Sequence, residues 1–506
     1  MFAFTPFSFI VAGAFSLAFL SRSHNFFVAT CSFFSVFQAA AVFNIKIADG
    51  YYIGIQPGYF LALAVLPLLI YRARLDNSFY SRYFKEAVSV YTPLLIFGGY
   101  SLFSLAFPFI FMDNLYVNPP RGGISSTNLA LLRPALTNLS QAGYLSFNIV
   151  FAFFVSLEIS KNARLARFMI IAYLVSGAVV LASALLQLLS AHTQVYNPVT
   201  VLYSNLGYSQ LFFQAFGDIK RLNATFTEPS LLAFYLTGYY AFSLWSFLST
   251  AKFGYIYISV FSGMILLLTT SASGYAGFFV VSIFALCVAA KLHVRILRQV
   301  FFSVLLAFLG AFLGFRAQEL AGNLKAQELA GNLKAQELAG NLKGSGSRDF
   351  MVSGLIQKGK SQSGSDRFST DMNSLRLLPK SYGFGAGIGS TRSSSLLTNI
   401  LGNLGIPGFL ISIYTGYAII RRLRRGGLKF YPTEENHLTG GITVSIAASL
   451  FVGMISVPDL NPLFLWNLLA ILMGLMLCPA CAISLGQQVW ALSSERRGGG
   501  LKGRGR

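Results

Sequence analysis

Residues 231–248 and 301–315 run without a charged side chain for roughly the length a helix needs to cross a bilayer, and this feature constrains the fold more than any other. In hydrocarbon every backbone N–H and C=O must be satisfied internally, by a helix or by a closed barrel, and a barrel would show short alternating segments instead. The chain is 55% apolar and 11% charged, and its charges gather in clusters between the apolar runs. A soluble fold is excluded; the expectation is an all-α, polytopic integral membrane protein.

Thirteen spans are predicted, at about 4–20, 26–45, 55–71, 88–111, 144–160, 168–190, 231–249, 254–270, 273–290, 300–315, 398–420, 442–457 and 462–478. Twelve to fourteen fit the pattern, because Ser21 to Asn25 is a weak turn carrying one Arg. A net charge of +21 would suggest nucleic acid for a soluble domain, but here it follows topology. Arg72/Arg74/Arg82/Lys85, Lys161/Arg164/Arg167, Lys291/Arg295/Arg298 and Arg421/Arg422/Arg424/Arg425/Lys429 fall at alternate span ends, as does the tail with Arg496 and Arg497. By the positive-inside rule that face is the cytoplasm, and no nucleic-acid partner is expected. An odd count puts the N-terminus outside. The first apolar stretch lacks a basic leader and a small-residue cleavage site, so it reads as a retained span.

The resulting organisation is N-terminal transmembrane helices over 1–190, a first large outer loop at 191–230, central helices at 231–315, a second large outer loop at 316–397, C-terminal helices at 398–478 and a basic cytoplasmic tail at 479–506. A shorter outer segment covers 113–143. Four spans separate the two long loops, and an even number of crossings returns both to one face, where they can meet. Loops of this length without regular structure are functional or disordered. Within the second, Ala-Gln-Glu-Leu-Ala-Gly-Asn-Leu-Lys occurs three times unchanged over 317–343. Nine residues are too few for a solenoid unit, so the repeat reads as a duplication tolerated in an exposed loop. Gly344 to Ser347 reads as a flexible linker.

Four cysteines lie in or beside spans with no ladder of spacings, so neither a disulfide framework nor a zinc site is indicated; no metal and no cofactor are expected. Of the four histidines, His24, His293 and His437 fall on the cytoplasmic side, and His192 reads as a surface residue. Chemistry concentrates in the outer loops. Arg221-Leu-Asn-Ala-Thr-Phe-Thr-Glu-Pro-Ser230 ends the first, with Pro229 suited to the first helical turn and Glu228 near its positive end. Arg221 stands outside against the positive-inside bias and offers a planar fork of donors to a phosphate. The second loop brings Asp366-Arg367, Asp371, Arg376, Lys380, Tyr382, the run Gly383 to Gly389, then Arg392 and Ser394. Alternating glycines let backbone N–H groups approach an anion, although no dinucleotide fingerprint is present. Cations beside an apolar bundle suit a ligand with an anionic head and a hydrocarbon tail.

With these residues in order, the chain resembles the bacterial O-antigen polymerase and O-antigen ligase superfamily. The resemblance covers spans six to eleven. It is carried by Arg221 with Phe226-Thr-Glu-Pro-Ser230, by Arg367, by Tyr382-Gly-Phe-Gly385 and by Leu401-Gly-Asn-Leu-Gly-Ile-Pro-Gly408 running into a span. Ligases of the superfamily carry His-Asn upstream of the glycine corresponding to Gly405 and an acid just before it. Here Ser394, Ser395 and Asn403 stand in those places, which favours the Wzy-like polymerase branch.

The resemblance implies a metal-independent glycosyltransferase of the bacterial inner membrane with a periplasmic active site. It would polymerise undecaprenyl-diphosphate-linked oligosaccharide units into O-antigen, capsule or exopolysaccharide, with membrane lipids and a chain-length regulator as further partners. Arg221, Glu228 and Arg367 are the expected catalytic residues, Glu228 being favoured over Asp366 and Asp371 as base. Arg376, Lys380, Tyr382, Arg392 and Ser394 are expected to contact the diphosphate or saccharide. A ligase passing finished polymer to a lipid or protein is the first alternative. A transporter or flippase is the second, and it would place ionisable residues mid-membrane, where these spans have almost none.

Overall fold

The computed structural model describes residues 2–21, 23–48, 51–75, 77–120, 129–192, 198–207, 215–216, 219–333, 362–425, 432–433 and 437–478. The third repeat copy, the linker at 344–347 and the tail at 479–506 lie outside the described residues. The helices are α1 (Phe7–Leu20), α2 (His24–Phe34), α3 (Pro57–Leu75), α4 (Asn77–Phe103), α5 (Phe107–Ile110), α6 (Leu136–Lys161), α7 (Ala163–His192), α8 (Pro229–Thr250), α9 (Phe253–Leu268), α10 (Ala272–Leu292), α11 (Val294–Leu333), α12 (Gln362–Leu375), α13 (Leu377–Lys380), α14 (Leu396–Arg425), α15 (His437–Ser456) and α16 (Leu463–Leu477). Among the described residues, nine helical stretches are long and apolar enough to cross a membrane, and α1, α9 and α16 are shorter apolar helices. The protein is a polytopic, mostly helical membrane protein.

Helix α8 is the hub, buried along almost its whole length against α9, α10 and α15. Small residues bring the backbones close: Gly238 lies against Ser445 and Ser449 of α15, and Gly474 of α16 against Ile159 and Ser156 of α6. Hydroxyls buried by this packing find partners across it, Tyr240 with Ser282 at 2.8 Å and Tyr239 with the Leu174 carbonyl at 2.9 Å.

The predicted span 26–45 is the one that differs in kind. Only α2 is helical; residues 35–42 are irregular, and strand β2 (Phe43–Ala48) follows. β2 pairs antiparallel with β1 (Phe2–Phe4) and β3 (Tyr51–Ile55), Phe2 facing Ile45 and Phe43 facing Ile55. The pairing brings residues 2–4 and 43–45 together, so α1 leaves that end of the bundle and the chain returns to it. The non-helical stretch is tolerated because protein covers it: Val36 and Ala39 to Ala41 are fully buried, and their backbone bonds go to Thr225 and Ser204.

At the end of the bundle that holds the basic clusters, Glu158 is buried and accepts Arg72 Nη2 at 3.0 Å, with His24 Nε2 at 3.1 Å. A second difference concerns cysteine. Cys31 and Cys287 are free thiols, but Cys478 is in a disulfide, where the spacing had suggested none.

Candidate functional site

The segment from Arg221 to Glu228 is a turn held by hydrogen bonds from several neighbours. Gln187 Oε1 on α7 accepts the N–H of Asn223 at 3.1 Å and of Ala224 at 2.9 Å, while its Nε2 donates to Asn223 Oδ1 at 2.6 Å. Tyr203 donates to the Ala224 carbonyl at 2.7 Å, and Thr225 Oγ1 to that of Val36 at 2.8 Å. Phe226 is fully buried against Tyr235 and Phe464, with ring centroids 5.5 and 6.4 Å away. Arg221 and Glu228 thus stand at the two ends of a fixed, buried turn. Glu228 is the last residue before α8, with extended backbone, and Ser230 Oγ donates to its Oε2 at 3.2 Å. Pro229 takes the first helical position, as the sequence suggested.

Arg221 lies within electrostatic reach of Arg367, of Glu228 and of Tyr275 on α10. Burial, together with the neighbouring Arg367 charge, lowers the Arg221 pKa to about 10, with Glu228 and Tyr275 pulling the other way. Arg221 stays charged at neutral pH. Two guanidiniums from loops more than a hundred residues apart share one half-buried place with one carboxylate, which leaves excess positive charge where water is scarce.

Arg367 rides on α12, and one turn later Asp371 accepts Ser394 N–H at 2.7 Å, Ser394 Oγ at 2.6 Å and Thr398 Oγ1 at 2.7 Å. These bonds lock α12 to the start of α14. Ser394, expected to contact a ligand, here donates both its N–H and its hydroxyl to Asp371, whose two oxygens are engaged by three donors. Arg392 is half-buried with its backbone clamped by Asn118, whose carbonyl and Nδ2 meet its N–H and C=O at 3.1 and 3.0 Å. Arg376 and Lys380 are exposed at the ends of short α13, and Tyr382 is 84% exposed.

The glycine run is neither an anion cradle nor a flexible loop. Its N–H groups are taken: Gly385 by Ser381 Oγ at 2.9 Å, Ala386 by the Gly402 carbonyl at 2.9 Å, Gly387 by that of Asn403 at 2.8 Å and Ile388 by Ser104 Oγ at 3.1 Å. Asn403 Oδ1 collects the N–H of Ser390 and Thr391, both at 2.9 Å. What the run grips is a break in α14 at Gly405 (φ 67°, ψ −165°). A Cβ on Gly385 would lie 2.7 Å from the Asn403 carbonyl oxygen, so close approach of two backbones explains the glycine there.

Two contributors escape the sequence reading. Gln318, in the first repeat copy, is fully buried and its Oε1 accepts the N–H of Lys220 at 3.0 Å, next to Arg221. That copy, expected to be exposed filler, continues helix α11 and supports the site. Asp459 lies in the turn between α15 and α16, where burial raises its carboxyl to about 6 against the opposing bond from Asn461 N–H at 2.8 Å. It is the single charge between His437 and Cys478, bracketed by Pro458 and Pro462, and that isolation was the available signal.

Among the described residues no group of three or more His, Cys, Asp or Glu could hold a metal ion. Neither a protein-family model nor a curated protein matches the sequence.

Proposed function

We propose that this protein is a membrane glycosyltransferase that polymerises undecaprenyl-diphosphate-linked oligosaccharide units into a surface polysaccharide at the periplasmic face of a bacterial inner membrane. The observation that carries the reading is the meeting of Arg221 and Arg367 beside Glu228 at the ends of apolar helices. Two like charges held together in a half-buried site repel, and a diphosphate relieves that repulsion. The polyprenyl tail of such a donor would lie along the lipid-facing helices. As the glycosyl–phosphate bond breaks, negative charge develops on the departing diphosphate, and preorganised guanidiniums stabilise it more than they stabilise the bound donor.

The test is elongation of a lipid-diphosphate-linked unit by purified protein in vesicles. Arg221→Ala and Arg367→Ala are each expected to lower kcat by about 10²–10³-fold, the usual loss for one preorganised donor. Normal elongation by the double variant would refute the site. Cells lacking the protein should accumulate single lipid-linked units; long polymer stranded on the carrier would instead mean ligation.

A further inference from the structure

Transfer to a sugar hydroxyl needs a base, and two of the three carboxylates first considered are otherwise engaged. Asp371 takes three hydrogen bonds from Ser394 and Thr398. Glu228 serves as counter-charge to Arg221 and accepts Ser230 Oγ.

The Asp459 turn is pinned between the two halves of the site. On one side the Pro458 carbonyl accepts Asn399 Nδ2, and the Asn399 N–H donates to the Ser395 carbonyl at 2.9 Å, in the same first turn of α14 whose Thr398 bonds Asp371. On the other, Phe464 packs on Phe226 and Tyr235, at 6.4 and 5.0 Å between centroids. Beneath it, α6 presents Asn138, Gln141, Tyr144 and Asn148 at helical spacing. Asn461 Nδ2 reaches Gln141, and the Asn461 carbonyl accepts Asn148 Nδ2 at 3.3 Å. Asn138 and Asn148 are buried and spent within the protein, on Ala135, Ile388, Ser390 and Tyr59, whereas Gln141 and Tyr144 are half-buried and stand where saccharide hydroxyls could meet them. Asp459 Oδ1 is used by Asn461 N–H, and among the described residues no donor meets Oδ2.

We propose that Asp459 is the general base of this site, an assignment that rests on the glycosyl-transfer reading. Oδ2 takes the proton of the acceptor hydroxyl as that oxygen's electron pair forms the new bond to the donor's anomeric carbon. The anomeric carbon–phosphate oxygen bond breaks, its electron pair leaving on the diphosphate beside Arg221 and Arg367. The carboxylic acid then returns its proton to water. Among the described residues the titratable side chain coupled to Asp459 is Tyr144 of α6, and burial already poises Asp459 near the pH at which a base is most effective.

The experiment measures initial elongation rates in vesicles from pH 4.5 to 8.5 for wild type, Asp459→Asn and Asp459→Glu. Wild type should show an acid limb with a midpoint near 6. Asp459→Asn keeps the acceptor for Asn461 N–H, so the turn persists; kcat should fall about 10²–10⁴-fold with KM changed a few-fold at most, and the limb should vanish. Asp459→Glu should keep a limb at a shifted midpoint. If Asp459→Asn elongates like wild type, or retains the limb, the assignment is overturned while the transfer reading stands. A wild type that transfers nothing from a diphosphate carrier overturns both.

Discussion

Replacing Gly405 by Ala tests whether the second loop is bolted to the broken helix. At φ 67° and ψ −165° an L residue is strained by about 1–3 kcal/mol. The new Cβ would also lie 2.2 Å from the Gly383 carbonyl oxygen and 2.4 Å from the Phe384 carbonyl carbon, backbone atoms that can yield only by moving the loop. That movement strips the bonds from Ile406 N–H to Gly383, Gly387 N–H to Asn403 and Ala386 N–H to Gly402, each worth about 1 kcal/mol. The sum is roughly 4–6 kcal/mol of lost loop docking. Gly383→Ala is the control: its φ of +82° carries the same kind of strain, but its nearest neighbour is the Ile406 side chain at 3.4 Å, so roughly 1–3 kcal/mol is expected. The assay is maleimide labelling of Ser393→Cys in a Cys287→Ser background, since Ser393 is 3% exposed and reacts only when the loop lifts. With opening fast relative to labelling, a 3 kcal/mol difference is about 10² in rate, so Gly405→Ala should label about a hundredfold faster than Gly383→Ala. Equal rates in the two variants would refute the interlock.

Two further outcomes are expected. Gln318→Ala should remove the acceptor that Gln318 Oε1 offers the Lys220 N–H and loosen Arg221, lowering kcat by about tenfold, whereas deleting the third repeat copy, 335–343, should leave elongation within about twofold. Asp459→Asn should also alter stability in a pH-dependent way. Its folded value near 6 lies above the ordinary 3.8, so the carboxyl costs nothing below both values, and stability is lost as pH rises from 3.8 to 6, where the unfolded carboxyl ionises and the folded one stays protonated; above 6 the penalty is constant. Thermal melting should therefore show Asp459→Asn gaining about 1–2 kcal/mol at pH 8, after allowance for water at a half-buried group, and almost nothing at about pH 3. A gain at both pH values would mean a packing effect.

Span-forming helices were legible because hydrocarbon permits few backbone solutions, and a charge-free run such as 231–248 has one answer. The segment 26–45 misled because apolar composition reports burial, and here burial is by protein: Ala39 to Ala41 are as dry as any helix interior without being helical. Arg221 and Arg367 could be singled out because, on the predicted topology, cations at outer span ends oppose the charge rule, and Glu228 because it precedes a helix start. Their partners could not be. The glycine run shows spacing without destination, and only the fold reveals that its N–H groups are spent on Gly402 and Asn403. Gln318 and Asp459 acquire meaning from residues 98 and hundreds of positions away, through packing that no local pattern encodes.

The edge-on packing of Phe464 against Phe226 bears on how the protein is made. A membrane chain is delivered in order, and the turn after Arg221 is complete long before the turn at Asp459 exists. Until then Phe226 has Tyr235 but lacks Phe464, and Asn148, wholly buried within α6, lacks the Asn461 carbonyl. The last helical pair therefore acts as the closing piece of the site. A ribosome-bound intermediate that ends before Pro458 carries both arginines and yet lacks the turn that joins their surroundings, so under the proposed function transfer begins only at the end of biogenesis.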